Sequence, residues 1–542
     1  MSTGSRSNDP PPPPSEGGSG ETDRVARAAG TIGLFTFLSR ILGFVRDMVV
    51  ARVFGASLVA DAFFVAFRIP SMLRELLAEG TMSAAFVPVF TEKLTREGRA
   101  RAWELASRAF TLLLLALVVV TCVGILLAPF IVQVIAPGFS GNAAQRELTV
   151  LLTRIMFPYL IFIGLAALAM GILNSLRAFA LPALAPLLFN VAIISCSLWL
   201  APTMGEPALA LAIGVLLGGF LQLGLQIPGL VQHRMVPRPA WGPSDPDVRR
   251  MGRLMIPMIF ALSVTQVNLL VNTLLASFLP EGSVSYLYYG MRLIHFPLGI
   301  FGVALATAIL PSLSAQSARG DMEGMSRGVG DGLKLILFVT VPAMAGLIAL
   351  REPIIATLFE RGAFDRAATL GTASAVFAYA TGLWAFAGVR IAASTFYALK
   401  DTATPVRIAA MAMAANIGLN LLLMGPLGHM GLALATALAA MLNFSLLLFA
   451  LSRRLHGLGA ANLLPSVART VAASVVMGGG CMWVAGLPLW EGGVPTLQIS
   501  VLGGAVGGFA VVYLVVHKML GGSEVDTLWR VVARRRGTAK GG

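Results

Sequence analysis

Apolar residues recur along this chain in runs close to the roughly 20 residues that a helix needs to cross a bilayer, with polar residues gathered in the short breaks between runs. Fourteen such segments are predicted, near 29–53, 57–90, 105–136, 148–174, 182–201, 207–230, 251–279, 284–314, 332–357, 370–399, 405–424, 429–452, 467–487 and 497–519. Segments two and eight are longer than one span and hold Pro70, Pro297 and Gly299, so bent or broken helices are expected there. The fold class that follows is an all-α polytopic membrane protein.

Composition agrees. Of 542 residues, 56% are hydrophobic and 12% charged, about half the charged share of a water-soluble domain. Lysine and arginine accumulate in alternate connections: Lys93, Arg96, Arg99 and Arg101; Arg177; Arg234, Arg238, Arg249, Arg250 and Arg253; Arg319, Arg327 and Lys334; Lys400 and Arg407; Arg453, Arg454 and Arg469. Cationic short loops mark the cytoplasmic side, which places both termini there and requires an even number of spans. The net charge of +14 is then a topology signal rather than a nucleic-acid surface. Residues 1–26 form a Ser-, Gly- and Pro-rich tail expected to be disordered, with no cleavable signal pattern before the first span. The basic stretch 521–542 is expected to lie against anionic headgroups.

Charge inside the apolar runs is the informative exception. Arg40, Arg46, Asp47, Arg52, Asp61, Arg68 and Arg74 all fall within the first two segments, and ionised groups at such depth face a polar cavity. A polar cargo crossing the membrane is implied. Enzyme signatures are missing: Cys122, Cys196 and Cys481 are scattered through apolar spans and read as buried small residues, the five histidines lack metal-ligand spacing, and no phosphate-binding GxxxxGK[ST] loop occurs. Neither a cofactor nor a metal is expected.

Segments two and eight also resemble each other. Each carries an arginine (Arg68, Arg292), then a Gly/Pro-containing stretch, then a proline (Pro88, Pro311), the pattern of a duplicated transporter. The run from Ser39 to Phe90, APGFS at 136–140, SVSYLYYGMRLIHFPLGIFGVALATAILPSLS at 283–314, LFERGAF at 358–364 and FYALKDTATP at 396–405 together resemble the MurJ/MviN family of bacterial lipid II flippases, over about residues 27–520. The last block is shared with the wider multidrug/oligosaccharidyl-lipid/polysaccharide exporter superfamily. What the resemblance implies is two six-helix lobes, 27–231 and 251–455, related by a pseudo-twofold axis and joined by a linker at 232–250. Two extra helices, within 456–520, would form a lipid-facing groove. The implied cargo is the undecaprenyl-pyrophosphate-linked peptidoglycan precursor, moved by alternating access from the cytoplasmic to the periplasmic leaflet of the inner membrane. Cell-wall synthesis and division proteins stand as further candidate partners, alongside membrane lipids.

Carried over by position, the family's essential cations match Arg40, Arg46, Arg74 and Arg292, and its acidic position on the second helix matches Asp61. Where some relatives place two acids on helix eight, this chain has Met291 and His295, which leaves Arg292 freer and adds a titratable group. The chemistry suits the cargo, because guanidinium forks pair with phosphate oxygens bidentately. At about 100° per residue, Arg40 with Asp47, and Asp61 with Arg68, fall within about 20° on their helices, so each acid is expected to neutralise its arginine while the cavity is empty. Asp47, Arg68, Glu75, Glu79, His295 and Arg390 are further gate or cavity candidates. The stretch from Pro70 to Gly80 beside segment eight is expected to form a lateral entry gate. Arg52 and Arg177 read as snorkelling anchors. Asn190, Asn268, Asn272, Asn416, Asn420 and Asn443 read as interhelical hydrogen-bonding groups rather than a sodium site, since no carboxylate accompanies them. Two other functions stand beside the flippase: an exporter of another polyprenyl-linked saccharide or of a drug, and a non-transporting membrane scaffold. Five arginines against two aspartates before Glu75 within the first two segments exceed what mutual pairing in a scaffold would absorb.

Overall fold

The computed structural model describes residues 18–76, 82–455, 457, 460–490 and 495–525, and among these every regular element is a helix. In chain order the α-helices are α1 (Gly18–Phe54), α2 (Leu58–Arg74), α3 (Met82–Glu97), α4 (Arg99–Leu126), α5 (Ala128–Ile135), α6 (Ala143–Met156), α7 (Tyr159–Ser175), α8 (Ala180–Ser195), α9 (Ala208–Gln232) and α10 (Pro246–Ala276). They continue with α11 (Ser283–Pro297), α12 (Val303–Ala318), α13 (Met322–Ala349), α14 (Arg351–Phe359), α15 (Arg366–Ala380), α16 (Leu383–Ala398), α17 (Ala403–Arg454), α18 (Ala460–Ala485) and α19 (Pro495–Met519). Nine helices among the described residues are long and apolar enough to cross a membrane, or ten if the α15–α16 pair, bent by 42°, counts as one span. Fourteen remains the expectation of the hydropathy pattern.

Segment eight breaks as anticipated, whereas Pro70 of segment two lies inside the continuous helix α2. Segment eight is α11, a wide turn of π-helix at Leu298–Gly302, and α12, because Pro297 cannot donate to the ladder and its ring crowds the preceding turn. Segment two is carried by α2 and α3. Residues 77–81 between them, including Glu79, lie outside the described residues.

α17 holds the two spans expected at 405–424 and 429–452. Its 52 residues would run about 78 Å if straight, against a hydrocarbon core of about 30 Å. The backbone leaves helical geometry at Gly428 (φ 56°, ψ −135°). Arg454 at its far end pairs with Asp401, just before its start, at 2.8 Å, so the element doubles back into an antiparallel hairpin. Hydrogen bonds from the Thr404 backbone N–H and hydroxyl hold the Asp401 carboxyl below the usual carboxylate range.

Packing uses small residues and lipid-facing bulk. Ala208, Ala210 and Ala212 on α9, and Ala373, Ala375, Ala378, Ala380, Ala385 and Ala387 on α15 and α16, are buried; without a hydrophobic driving force between helices in lipid, close backbone approach is what small residues supply. Large apolar side chains such as Leu126, Phe130, Val475 and Trp483 point outward. Cys122 is also exposed, contrary to its reading as a buried residue, whereas Cys196 and Cys481 are buried. α18 packs on α13 and on α19, and the Tyr513 hydroxyl donates to the Phe338 carbonyl at 2.7 Å.

The backbone at Gly428 predicts a sharp contrast within α17. Gly428→Ala puts a Cβ into a conformation that L-residues avoid and should cost about 1–3 kcal/mol, lowering the melting temperature in detergent. Gly418→Ala, at an exposed helical position with open space around it, should leave it unchanged or raise it. Equal melting temperatures for the two variants would contradict the hairpin geometry.

Candidate functional site

The charged residues of α1 meet segment eight running antiparallel to it. Asp47 is buried and shared between two arginines. Arg46 binds its Oδ1 through Nε and Nη2 at 3.0 and 2.7 Å, while Arg292 of α11 sets Nε 2.7 Å from Oδ2. Tyr288 joins the group, donating its hydroxyl to Asp47 Oδ1 at 3.2 Å and accepting from Arg46 Nη2 at 3.3 Å. Asn190 of α8 accepts from Arg46 Nη1 at 3.2 Å and donates to the Ser39 carbonyl at 3.3 Å, so all three Arg46 nitrogens are hydrogen-bonded. A single carboxylate thus ties α1 to α11, with α8 bracing from behind.

Beyond this knot further cations gather along segment eight. Arg40 lies against the backbone of Gly299, where a Cβ would stand 2.5 Å from its Nη1. The Arg390 side chain of α16 passes Gly302, 3.6 Å from a Cβ built there, and is close enough to Arg40 for mutual repulsion. His295 is exposed and within electrostatic range of Arg292 and Arg390. Its Nδ1 is 3.0 Å from the Met291 carbonyl, which makes Nδ1 the protonated nitrogen. Arg40, Arg46, Arg292 and Arg390 less Asp47 leave 4 − 1 = 3 positive charges at this site.

Two pairings expected from helical angles do not occur. Asp47 binds Arg46 and Arg292, not Arg40, and Asp61 does not reach Arg68. In each case the pair is seven residues apart, about 10.5 Å along the axis, so sharing a face does not bring the groups into contact. Arg68 instead donates from Nε to Thr273 of α10 at 3.1 Å. Arg74 ends α2 with Nη2 3.9 Å from Glu75, whose other oxygen accepts from Gln266 of α10. α2 and α11 touch along their first halves, where the rings of Phe64 and Tyr288 stack at 4.0 Å; further on, α2 turns to α10, and segment eight turns to α1. The kinked part of segment eight therefore faces Arg40 rather than the Pro70 region.

Asp61 has a different task. Its carboxylate accepts from the Gly282 and Ser285 backbone N–H groups, both at 2.8 Å, and from the Ser285 hydroxyl at 2.6 Å, so a residue of α2 caps the N-terminus of α11. Around it one end of the bundle is sealed between the two halves of the chain. The Ala363 N–H donates to the Arg52 carbonyl at 2.8 Å, and the Tyr289 hydroxyl donates to that of Gly55 at 3.4 Å. Gly138 donates to the Ser277 hydroxyl at 3.1 Å, and Phe44 meets Phe359 edge-on at 5.8 Å. Gly55 and Gly362 have φ of 66° and 63°; Gly55 presses against the Ala363 backbone and Gly362 against the Arg52 backbone, each so closely that no side chain fits. The blocks APGFS, SVSY and ERGAF all lie in this seal. At the opposite end the halves meet through half-exposed ion pairs, Lys93–Asp247 at 2.6 Å and Glu92–Arg250 at 2.9 Å.

The spans around Asn272 hold a neutral cluster: Asn420 donates to Asn272 at 2.8 Å and to Asn416 at 3.0 Å, and Asn272 to Thr436 at 3.4 Å. These bonds join α10 to both arms of α17. Sequence patterns did not reveal Tyr288, Gly43 or Gly299 as parts of the site, since an aromatic or a glycine in an apolar span carries no signal of its partner.

Residues 50–502 match the family model described as Lipid II flippase MurJ. A Burkholderia cenocepacia protein described as "Lipid II flippase MurJ" is 38% identical over 90% of this chain and 96% of its own length. A Vibrio cholerae protein described as "Probable lipid II flippase MurJ" is 39% identical over 92% and 96%. Among solved structures, "Lipid II flippase MurJ, inward closed conformation" superposes with a TM-score of 0.74 at 28% identity, covering 90% of this chain and 98% of that one. An inward-facing MATE-family multidrug transporter, 14% identical, shares the fold at a TM-score of 0.67 over 77% and 94%.

Asp47 offers a direct test of the knot. Asp47→Ala leaves two buried or half-buried guanidiniums facing each other and should cost about 3–5 kcal/mol, seen as a lower melting temperature. Asp61→Ala should also destabilise, but removing Arg292 as well should rescue only the Asp47 variant. Equal rescue of both would refute the pairing.

Proposed function

The chain belongs to the lipid II flippase MurJ family, and from that membership we propose that it carries lipid II across the membrane by gripping the pyrophosphate with the arginines of α1, segment eight and α16. It is a transporter of the all-helical exporter fold, not a catalyst of a chemical reaction. The observation that carries the proposal is the surplus of three positive charges around one buried carboxylate. A lipid pyrophosphate brings about two negative charges and several acceptor oxygens, which guanidiniums bind in pairs. Arg46 and Asp47 serve as the fixed frame, because their bonds are already made. Arg40, Arg292 and Arg390 are the groups with donors to offer, and His295 adds charge when protonated. Arg74, at the end of α2, would meet the cargo outside the knot.

Alternating access follows from the unequal ends of the bundle. The end holding Gly55 and Gly362 is read as periplasmic, consistent with the cationic loops lying at the other end. Its seal must open to release cargo outside, while the ion pairs of Lys93 and Glu92 rearrange to admit it. Each half-exposed pair contributes only about 0–1 kcal/mol, so the cytoplasmic end yields more easily. The undecaprenyl tail stays in lipid, since each methylene withdrawn from it costs about 0.8 kcal/mol. The headgroup therefore enters through a side wall, and the seam of α1 with segment eight, held by side chains, is the candidate wall. Two lobes related by the Arg68/Arg292 repeat, with α18 and α19 as a lipid-facing addition, complete this reading.

Charge shape distinguishes recognition from a general field. Arg292→Lys keeps the charge and loses the fork, and should abolish or strongly reduce growth when this gene is the sole lipid II flippase in a bacterial host. Full growth at normal protein levels would show that only the field matters and would overturn bidentate recognition.

A further inference from the structure

Two glycines that carry no chemistry of their own stand against Arg40 and Arg292, and they do so reciprocally. Arg40 of α1 lies over Gly299 of segment eight: a Cβ there would meet Nη1 at 2.5 Å and the guanidinium carbon at 3.5 Å, and nothing else lies within 4 Å. Arg292 of segment eight lies over Gly43 of α1: a Cβ there would meet Nη2 at 2.8 Å, with Asn190 at 3.7 Å as the next neighbour. Each helix thus offers a bare patch of backbone to the arginine of the other. Gly43 and Gly299 are both helical, with φ outside the left-handed region, so neither is required by backbone conformation. The bare surface itself is what the site uses.

We infer that Gly43 and Gly299 are positioning residues, seats that set the guanidiniums of Arg292 and Arg40 at the spacing needed to hold one pyrophosphate. This rests on the reading of those arginines as phosphate ligands. A methyl group at either seat forces the facing guanidinium to move, since ordinary contact begins at 3.4 Å against gaps of 2.5 Å at Gly299 and 2.8 Å at Gly43, a shift of about 0.9 Å for Arg40 and about 0.6 Å for Arg292. The displaced atoms are the tip of a flexible side chain, so the fold absorbs the change cheaply. The binding geometry does not, since misplacing a binding group by about 1 Å can cost about 100-fold. Asp47 adds a directional constraint on one seat. Arg292 is tethered through Nε to Asp47, so its fork cannot slide far from Gly43, whereas Arg40 has only the Gly299 backbone and the repulsion of Arg390 to fix it.

The test uses the full-length protein in nanodiscs, titrated with lipid II, with melting temperatures as a check on folding. Gly299→Ala and Gly43→Ala should each keep the melting temperature and weaken lipid II binding by about tenfold or more. The loss from Gly299→Ala should vanish in an Arg40→Ala background and persist in Arg292→Ala; that from Gly43→Ala should vanish in Arg292→Ala and persist in Arg40→Ala. A merely structural role would give losses indifferent to which arginine is removed. Unchanged binding by both alanine variants, losses that persist without the facing arginine, or a fall in melting temperature as large as that of Asp47→Ala would each overturn the inference. If Arg40→Ala and Arg292→Ala themselves bind lipid II like the unaltered chain, the arginine reading fails and takes the seats with it.

Discussion

Everything at the centre of this bundle depends on one buried carboxylate held between two guanidiniums. Asp47 lets Arg46 stay charged among α1, α8 and Tyr288, and it draws Arg292 across from the second half of the chain. An apolar interior tolerates such groups only when their hydrogen-bonding capacity is met. Arg46 meets that condition within the protein through all three of its nitrogens. Arg40, Arg292 and Arg390 do so only in part, and the remainder of their donors is what makes this interior a site rather than a core. The neutral Asn272–Asn416–Asn420 cluster fastens helices amide to amide, and it leaves Asn416 Nδ2 and Asn420 Oδ1 buried without a partner among the described residues.

Much of this was legible before any coordinates. Apolar runs interrupted by proline and glycine announced the broken segments, and the break after Pro297 falls where the ring removes a donor. Ionised residues at membrane depth announced a polar cavity. What failed was the step from angle to contact. Arg40 and Asp47 share a face of α1, yet two turns of axial rise separate them, and a residue from another helix closes the gap first. Asp61 misled for the same reason, its partners being backbone N–H groups that no side-chain pattern displays. Tyr288 and Asn190 were invisible as site residues because their roles arise from α8 and α11 arriving at α1 together, which is tertiary information. The blocks APGFS, SVSY and ERGAF turn out to share a location, the seal at one end, rather than a chemistry.

That seal and the opposite end are built from unlike materials. One is backbone against backbone, with glycines pressed where no side chain fits, aromatic edges, and a carboxylate buried on a helix terminus. The other is a set of flexible, half-exposed ion pairs whose strength falls with salt. Under the proposed alternating access, two identical closures would give no resting preference, and these unequal ones would give one, set by geometry rather than by cargo.

The cap supplied by Asp61 has a reach beyond the bond itself. It grips α11 at Ser285, and Arg292 rides the same helix seven residues further on, with no break between them before Pro297. A helix of two turns is stiff on that scale, so displacement at the capped end arrives at the arginine undiminished, as at the far arm of a lever. On the proposed binding of a headgroup at Arg292, the state of the seal and the affinity of the site would share one coupling free energy, and such coupling is reciprocal: whatever a bound headgroup did to the grip of Asp61, the loosening of that grip would do to the headgroup in equal measure.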